Sequence, residues 1–167
     1  MDDLEGLLRE LDIRSMLDIP CGDFNWMKKL DLEDIDYHGA DIVAELVKKN
    51  NLNYGSPSVK FSQLDITRHT LPKVDLVFCR DCLVHLPMNT AKTAIRNVLD
   101  SGSKYFACTT YPDHHENTNV KLGGWYPMNI EDKPFSFERP DFIIDERCKA
   151  DNGRFPDKSI AVWKINE

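Results

Sequence analysis

The residues with the clearest chemical meaning stand at a few short turns. Asp18-Ile19-Pro20-Cys21-Gly22-Asp23 closes an apolar run. A glycine in a strand-to-helix turn lets the backbone approach a ligand closely. A helix starting there would present unpaired N–H groups able to receive a carboxylate. Only one glycine is present, so the turn lacks the three-glycine cradle of a pyrophosphate. The plainer alternative is an ordinary strand–turn–helix. Asp41 follows Gly22 by roughly 20 positions, the spacing at which an acidic residue reads ribose hydroxyls. A carboxylate accepts two hydrogen bonds at once, which suits a vicinal diol; the alternative is a helix N-cap. Asp65 could accept an exocyclic amine while Ile66 covers an aromatic ring, or it could be a turn aspartate.

A second group of residues could act on a substrate. Cys79-Arg80-Asp81-Cys82-Leu83-Val84-His85-Leu86-Pro87 follows another apolar run. His85 is a candidate proton acceptor because its unperturbed pKa lies near neutrality; it could equally be structural. Asp81 could orient a hydroxyl or cap the next helix. His114 and His115 stand in a long loop, where either could serve as base or contact a substrate. Trp125 and Tyr126 follow Gly123-Gly124 and could stack on a sugar or merely seal a sheet edge.

These turns need a frame that brings them together. Leu4, Leu7, Leu8 and Leu11 recur at helical spacing. Strands are expected over 15–19, 37–41, 59–64, 74–79 and 105–110, with helices over 24–30, 42–52 and 87–99. Two final strands, 142–145 and 160–165, are expected at an antiparallel edge. Residues 111–141 show no period and contain Pro112, Pro127, Pro134 and Pro140, and loops this long are often functional. Alternating strands and helices imply an α/β fold: a Rossmann-like, doubly wound, mainly parallel sheet of seven strands in a single domain, 1–167. In such sheets ligands lie beyond the carboxyl ends of the strands.

On LDIPCGDFNWM, YHGADIV, LDIT and DLVFCRDCLVHLP, the chain resembles class I S-adenosylmethionine-dependent methyltransferases. The likeness covers about residues 15–110. It implies S-adenosyl-L-methionine as cofactor. Asp18, Cys21 and Gly22 would shape its methionine end, with Pro20 and Asp23 in the same cofactor-binding turn and Trp26 packed nearby. Asp41 would hold the ribose, with Ile42 against the adenine. Asp65 and Ile66 would bind the adenine, and Arg80, mainly through its backbone, would face the methionine amino group. Pro20 departs from the family, which has a glycine there; proline removes an N–H and stiffens the turn. GGWYPMNIEDKPFSF and DKSIAVWKI resemble a narrower group that includes sugar-modifying methyltransferases of glycan pathways. The expected function is therefore O-methylation of a small hydroxylated acceptor, such as a sugar of a glycan. A non-catalytic cofactor- or partner-binding domain, as part of a larger glycan-modifying protein, is the alternative. The chain starts only a short way before the first strand, where many relatives carry covering helices.

Composition narrows the classes. The 167 residues carry a formal charge of -7, which disfavours nucleic acid and anionic membranes as partners. The N-terminus lacks the pattern of a signal peptide, and no stretch approaches the roughly 20 apolar residues of a membrane span. A soluble intracellular protein is expected. The five cysteines include one C-x-x-C, Cys79 and Cys82. A zinc site would need two further suitably spaced ligands, so no metal is expected. A nicotinamide-dependent oxidoreductase is disfavoured by the missing glycines.

Overall fold

The computed structural model describes residues 2–148 and 150–167. In chain order its main elements are α1 (Asp2–Glu10), β1 (Ser15–Asp18), β2 (Asp36–Asp41), α2 (Ala44–Tyr54) and β3 (Val59–Gln63), then β4 (Leu76–Cys79), α3 (Met88–Asp100), β5 (Tyr105–Thr110), β6 (Phe142–Asp145) and β7 (Ser159–Lys164). The seven strands form one sheet in the order β3-β2-β1-β4-β5-β7-β6. The five strands from β3 to β5 pair in parallel, while β7 and β6 are antiparallel. The fold is thus the Rossmann-like α/β architecture expected.

The central strands are buried on both faces, which is why they read as continuous apolar runs. In β4, Leu76 and Phe78 join one core while Val77 and Cys79 join the other. The first core lies under α1, the 24–35 segment and α2. The second lies under α3 and the 111–141 segment, which supplies buried Tyr126, Met128 and Ile130. That segment has no strand or regular helix of its own. It is fastened by backbone bonds from Tyr111 N–H to Met128 O (2.9 Å), Tyr126 N–H to Val84 O (3.1 Å) and Phe137 N–H to Ile130 O (3.0 Å).

The helix expected over 24–30 is absent. A single 3-10 turn, Met27–Lys29, takes its place. Two local interactions defeat the helix. Asp23 accepts both the backbone N–H (3.1 Å) and the side-chain amide of Asn25, the kind of side-chain bond that competes with helical pairing. Phe24 takes a left-handed φ of 61°, and its ring packs among Tyr37, Tyr54 and Phe61 at centroid distances of 5.0, 5.4 and 5.1 Å.

Gly39 in β2 lies beneath this aromatic cluster. A Cβ there would stand 2.5 Å from the Phe61 ring and 3.0 Å from the Tyr37 ring. Gly39→Ala should therefore destabilise the fold by about 1–3 kcal/mol through overpacking. Urea unfolding would check this, and an unchanged midpoint would contradict it.

Candidate functional site

The strand order reverses between β1 and β4, so the chain leaves their carboxyl ends in opposite directions and opens a crevice there. A hollow of about 230 Å³ occupies it, lined by Asp18, Pro20, Cys21, Gly22, Asp23, Trp26, Asp41, Arg80 and Asp81.

Gly22 sits at the bend with φ 57°, and a side chain built on it would meet nothing within 4 Å. Its N–H donates to Asp41 Oδ2 at 3.2 Å, while Val43 N–H donates to Asp41 Oδ1 at 2.9 Å. One carboxylate thus joins the β1 turn to the entry of α2. Each oxygen keeps lone-pair capacity for a ligand hydroxyl. Ile42, next in the chain, is 61% exposed, an apolar side chain left uncovered beside the Asp41 carboxylate.

Asp18 is 2% exposed. Its Oδ2 accepts the Tyr37 hydroxyl. Burial pushes its carboxyl up to about 7, against the pull of that hydrogen bond and of Arg80. The hollow therefore has a buried acid at its floor that would gain from a cation.

Arg80 and Asp81 form the opposite wall. The Arg80 guanidinium lies 5.1 Å over the Trp26 ring, donates from Nε to Glu146 Oε1 at 2.5 Å and approaches Asp81 Oδ2 at 3.3 Å. Lys158 Nζ stands 2.7 Å from Asp81 Oδ1 and 3.2 Å from Glu146 Oε2. Two cations and two carboxylates close into a ring. Asp81 has a left-handed φ of 52°, and its N–H donates to Thr109 Oγ1 at 2.8 Å. Beside the ring, Tyr111, Trp125 and Phe155 pack edge-on, with centroids 4.7–5.8 Å apart.

Several expected residues lie elsewhere. Asp65 turns back on its own loop: Oδ1 accepts Thr67 N–H at 2.8 Å and Thr67 Oγ1 at 2.6 Å. Burial alone would raise its carboxyl, but these bonds and Arg68 hold it below the usual range. Neither Asp65 nor Ile66 lines the hollow. Ile66 is 6% exposed and belongs to the core under α3. Tyr126, 3% exposed, is also part of that core, which leaves its ring no free face for a sugar. Trp125 is 38% exposed. His85 is exposed and does not line the hollow. Its Nδ1 lies 3.0 Å from Gly124 O, and its own carbonyl accepts Gly123 N–H. His114 is half-buried, its N–H bound to Tyr111 O. His115 Nδ1 lies 3.3 Å from Asp132 Oδ2. Among the described residues, no group of three or more His, Cys, Asp or Glu is arranged to hold a metal ion, and no helix is long and apolar enough to cross a membrane.

Glu146 and Lys158 escaped the sequence reading. They flank β6 and β7. Because β7 runs antiparallel, its first residue, Ser159, pairs with Thr110, the last of β5. Lys158 is thereby delivered to the end of the sheet where the hollow lies. The expected antiparallel edge carried that signal.

Asp18 makes stability depend on pH. The folded state holds this proton up to about pH 7, whereas an unfolded carboxyl releases it near 3.8. The contribution is complete below 3.8 and fades as pH rises through the interval to about 7. The loss approaches about 1.4 kcal/mol per pH unit within it. Melting temperatures between pH 5 and 8 should fall more steeply for the wild type than for Asp18→Asn; parallel curves would contradict the assignment.

The family model described as a methyltransferase domain matches residues 16–102. No curated protein matches the chain. Among solved structures, an S-adenosylmethionine-dependent methyltransferase from Clostridium acetobutylicum is 14% identical, with a TM-score of 0.70 over 99% of this chain and 90% of that one. The methyltransferase domain of bacterial CtHen1 is 12% identical, with a TM-score of 0.66 over 99% of this chain and 96% of the other. The magnesium protoporphyrin IX methyltransferase of Synechocystis PCC 6803, solved with bound SAH, is 21% identical, with a TM-score of 0.54; the alignment covers 68% of this chain but only 55% of that one. At these identities the structures establish a shared fold. The family match covers just over half the length and includes β1, β2, β3, β4 and α3, and the chain belongs to that family of methyltransferase domains.

Proposed function

We propose that this protein is an S-adenosylmethionine-dependent methyltransferase that methylates a hydroxyl of a small acceptor. The observation that carries the reading is the shared hollow in which Asp18, Gly22, Asp41 and Arg80 meet. Its donor set fits the cofactor. Asp41 offers two oxygens, already held by backbone N–H groups, to a ribose diol. Exposed Ile42 offers an apolar surface to the adenine. Buried Asp18 offers a carboxyl to the methionine ammonium and would ionise fully beside it. Gly22 leaves open space for the methionine chain. The helix N-terminus expected to receive the methionine carboxylate is missing, and Arg80 is the cation of the lining nearest to that task.

The cofactor supplies a methyl group on a sulfonium. The protein's share is positioning, exclusion of water and removal of the acceptor's proton. Of the proton acceptors considered, Asp81 lines the hollow, whereas His85 and His114 do not. Lys158 fixes both oxygens of Asp81, at 2.7 and 2.8 Å. We assign Asp81 to orient the acceptor hydroxyl and take its proton, and His85 to hold the Gly123-Gly124 loop.

Two measurements test this. Calorimetric titration with S-adenosylhomocysteine should show saturable binding, and Asp41→Ala should weaken it at least tenfold, about 1.4 kcal/mol. Unchanged affinity would remove the ribose assignment, and no binding to folded wild-type protein would remove the enzyme. On any acceptor found to turn over, Asp81→Asn should lower kcat by about 10²–10⁴-fold, while His85→Gln stays within a few-fold of wild type. The reverse order would return the role of base to His85.

A further inference from the structure

A second hollow, of about 350 Å³, stands next to the first, and the two share Trp26 and Arg80 in their walls. Its volume lies within the range of small-molecule sites. Leu4 from α1, Ile144 from β6 and Ile160 from β7 join Trp26 in lining it. The remaining lining is charged but largely self-satisfied. Arg80 is bound to Glu146 at 2.5 Å, and Arg147 Nη2 lies 3.2 Å from Asp3 Oδ2. Asp145 adds a carboxylate that, among the described residues, accepts a hydrogen bond from the Arg147 N–H alone.

We infer that this second hollow is the methyl-acceptor site and that it takes an uncharged, largely apolar alcohol or phenol rather than a sugar or an anion. The inference rests on the cofactor occupying the first hollow. Adjacency carries the first part: the two hollows meet at Trp26 and Arg80, so a molecule in the second lies next to one in the first, and in-line transfer needs their reacting atoms to approach directly. The lining carries the second part. Leu4, Ile144 and Ile160 offer no hydrogen bonds and Trp26 offers only its indole N–H, so a sugar placed against them would leave several hydroxyls without partners. Both arginines already face carboxylates, and Asp145 and Glu146 leave an excess of negative charge, so an anion would meet no free cation and would be repelled. An acceptor with an apolar body and one hydroxyl at the Arg80 end satisfies both constraints. At that end the hydroxyl meets the first hollow, whose lining includes Arg80 and Asp81. The transfer then balances simply: the hydroxyl oxygen gains the methyl, its proton passes to Asp81 of the first hollow, and the sulfonium leaves as a neutral thioether.

The test uses the full chain with labelled isoleucine methyl groups, saturated with S-adenosylhomocysteine. 1-Naphthol, as an uncharged phenol probe, should shift the Ile144 and Ile160 methyl resonances saturably. 1-Naphthoate and methyl β-glucopyranoside at the same concentrations should leave them unmoved. Ile144→Trp, which narrows the hollow, should weaken naphthol binding at least tenfold at Ile160 while S-adenosylhomocysteine affinity stays within twofold. The wild-type titration alone decides the matter if that variant does not fold. Binding of S-adenosylhomocysteine with no naphthol shift at either methyl, or with the sugar or the naphthoate binding there as tightly, overturns the inference and leaves the proposed function standing. No binding of S-adenosylhomocysteine overturns the proposed function, and the acceptor role falls with it.

Discussion

Strand β1 pairs in parallel with β2 on one side and β4 on the other. A connection leaving β1 must cross one face to reach β2, while the chain that leaves β4 crosses the other to reach β5. The carboxyl ends of β1 and β4 are therefore left uncovered between diverging connections. Asp18 ends β1 at that gap, and Arg80 and Asp81 follow β4 at the same level, with Asp18 in register with Phe78. The depth of the gap buries Asp18 and gives it an acidity unlike that of a surface carboxyl. Every function considered above depends on this single topological opening.

What fills the gap's walls is a balance between local bonding and packing. On one side, Asp23 and Phe24 dissolve the helix that usually follows such a turn, and an aromatic cluster takes over its covering role. On the other, the Arg80–Glu146–Lys158–Asp81 ring reaches from β4 to the β6–β7 hairpin. Partly buried ion pairs of this kind contribute little net stability because desolvation offsets their attraction. Their value here is geometric: four side chains hold one another in single orientations at the mouth of the hollow.

The sequence made most of the frame legible. The limits of β5 and β6 were readable to the residue, because Tyr105–Thr110 and Phe142–Asp145 are short runs of strand-forming residues bounded by turns. Gly22 and Asp41 were readable because their spacing reflects one crossover between the parallel strands β1 and β2. The lost helix at 24–30 was not, since an aromatic residue adopting left-handed backbone is decided by tertiary packing. Asp65 and Ile66 were misplaced because a strand-end carboxylate can serve a ligand or its own turn, and spacing does not tell the two apart. Tyr126 was read as a surface aromatic beside Gly123-Gly124, but the irregular 111–141 segment does the work of a helix layer and draws that ring into the core. Glu146 and Lys158 lie 66 and 77 residues beyond their partners Arg80 and Asp81, a separation at which no local pattern signals contact.

That separation has a consequence for biosynthesis. Contacts between residues distant in sequence form late, since closing a long loop is costly until other contacts support it. Strand β7 is made after all the other strands, and only its pairing with β5 brings Lys158 to Asp81. A nascent or truncated chain could assemble β1 to β5 and even the Gly22–Asp41 link, yet would leave Arg80 and Asp81 without their hairpin partners. The charged ring thus ties closure of the site to the arrival of β7, so that a chain not yet extended through β7 carries the hollow without a finished wall.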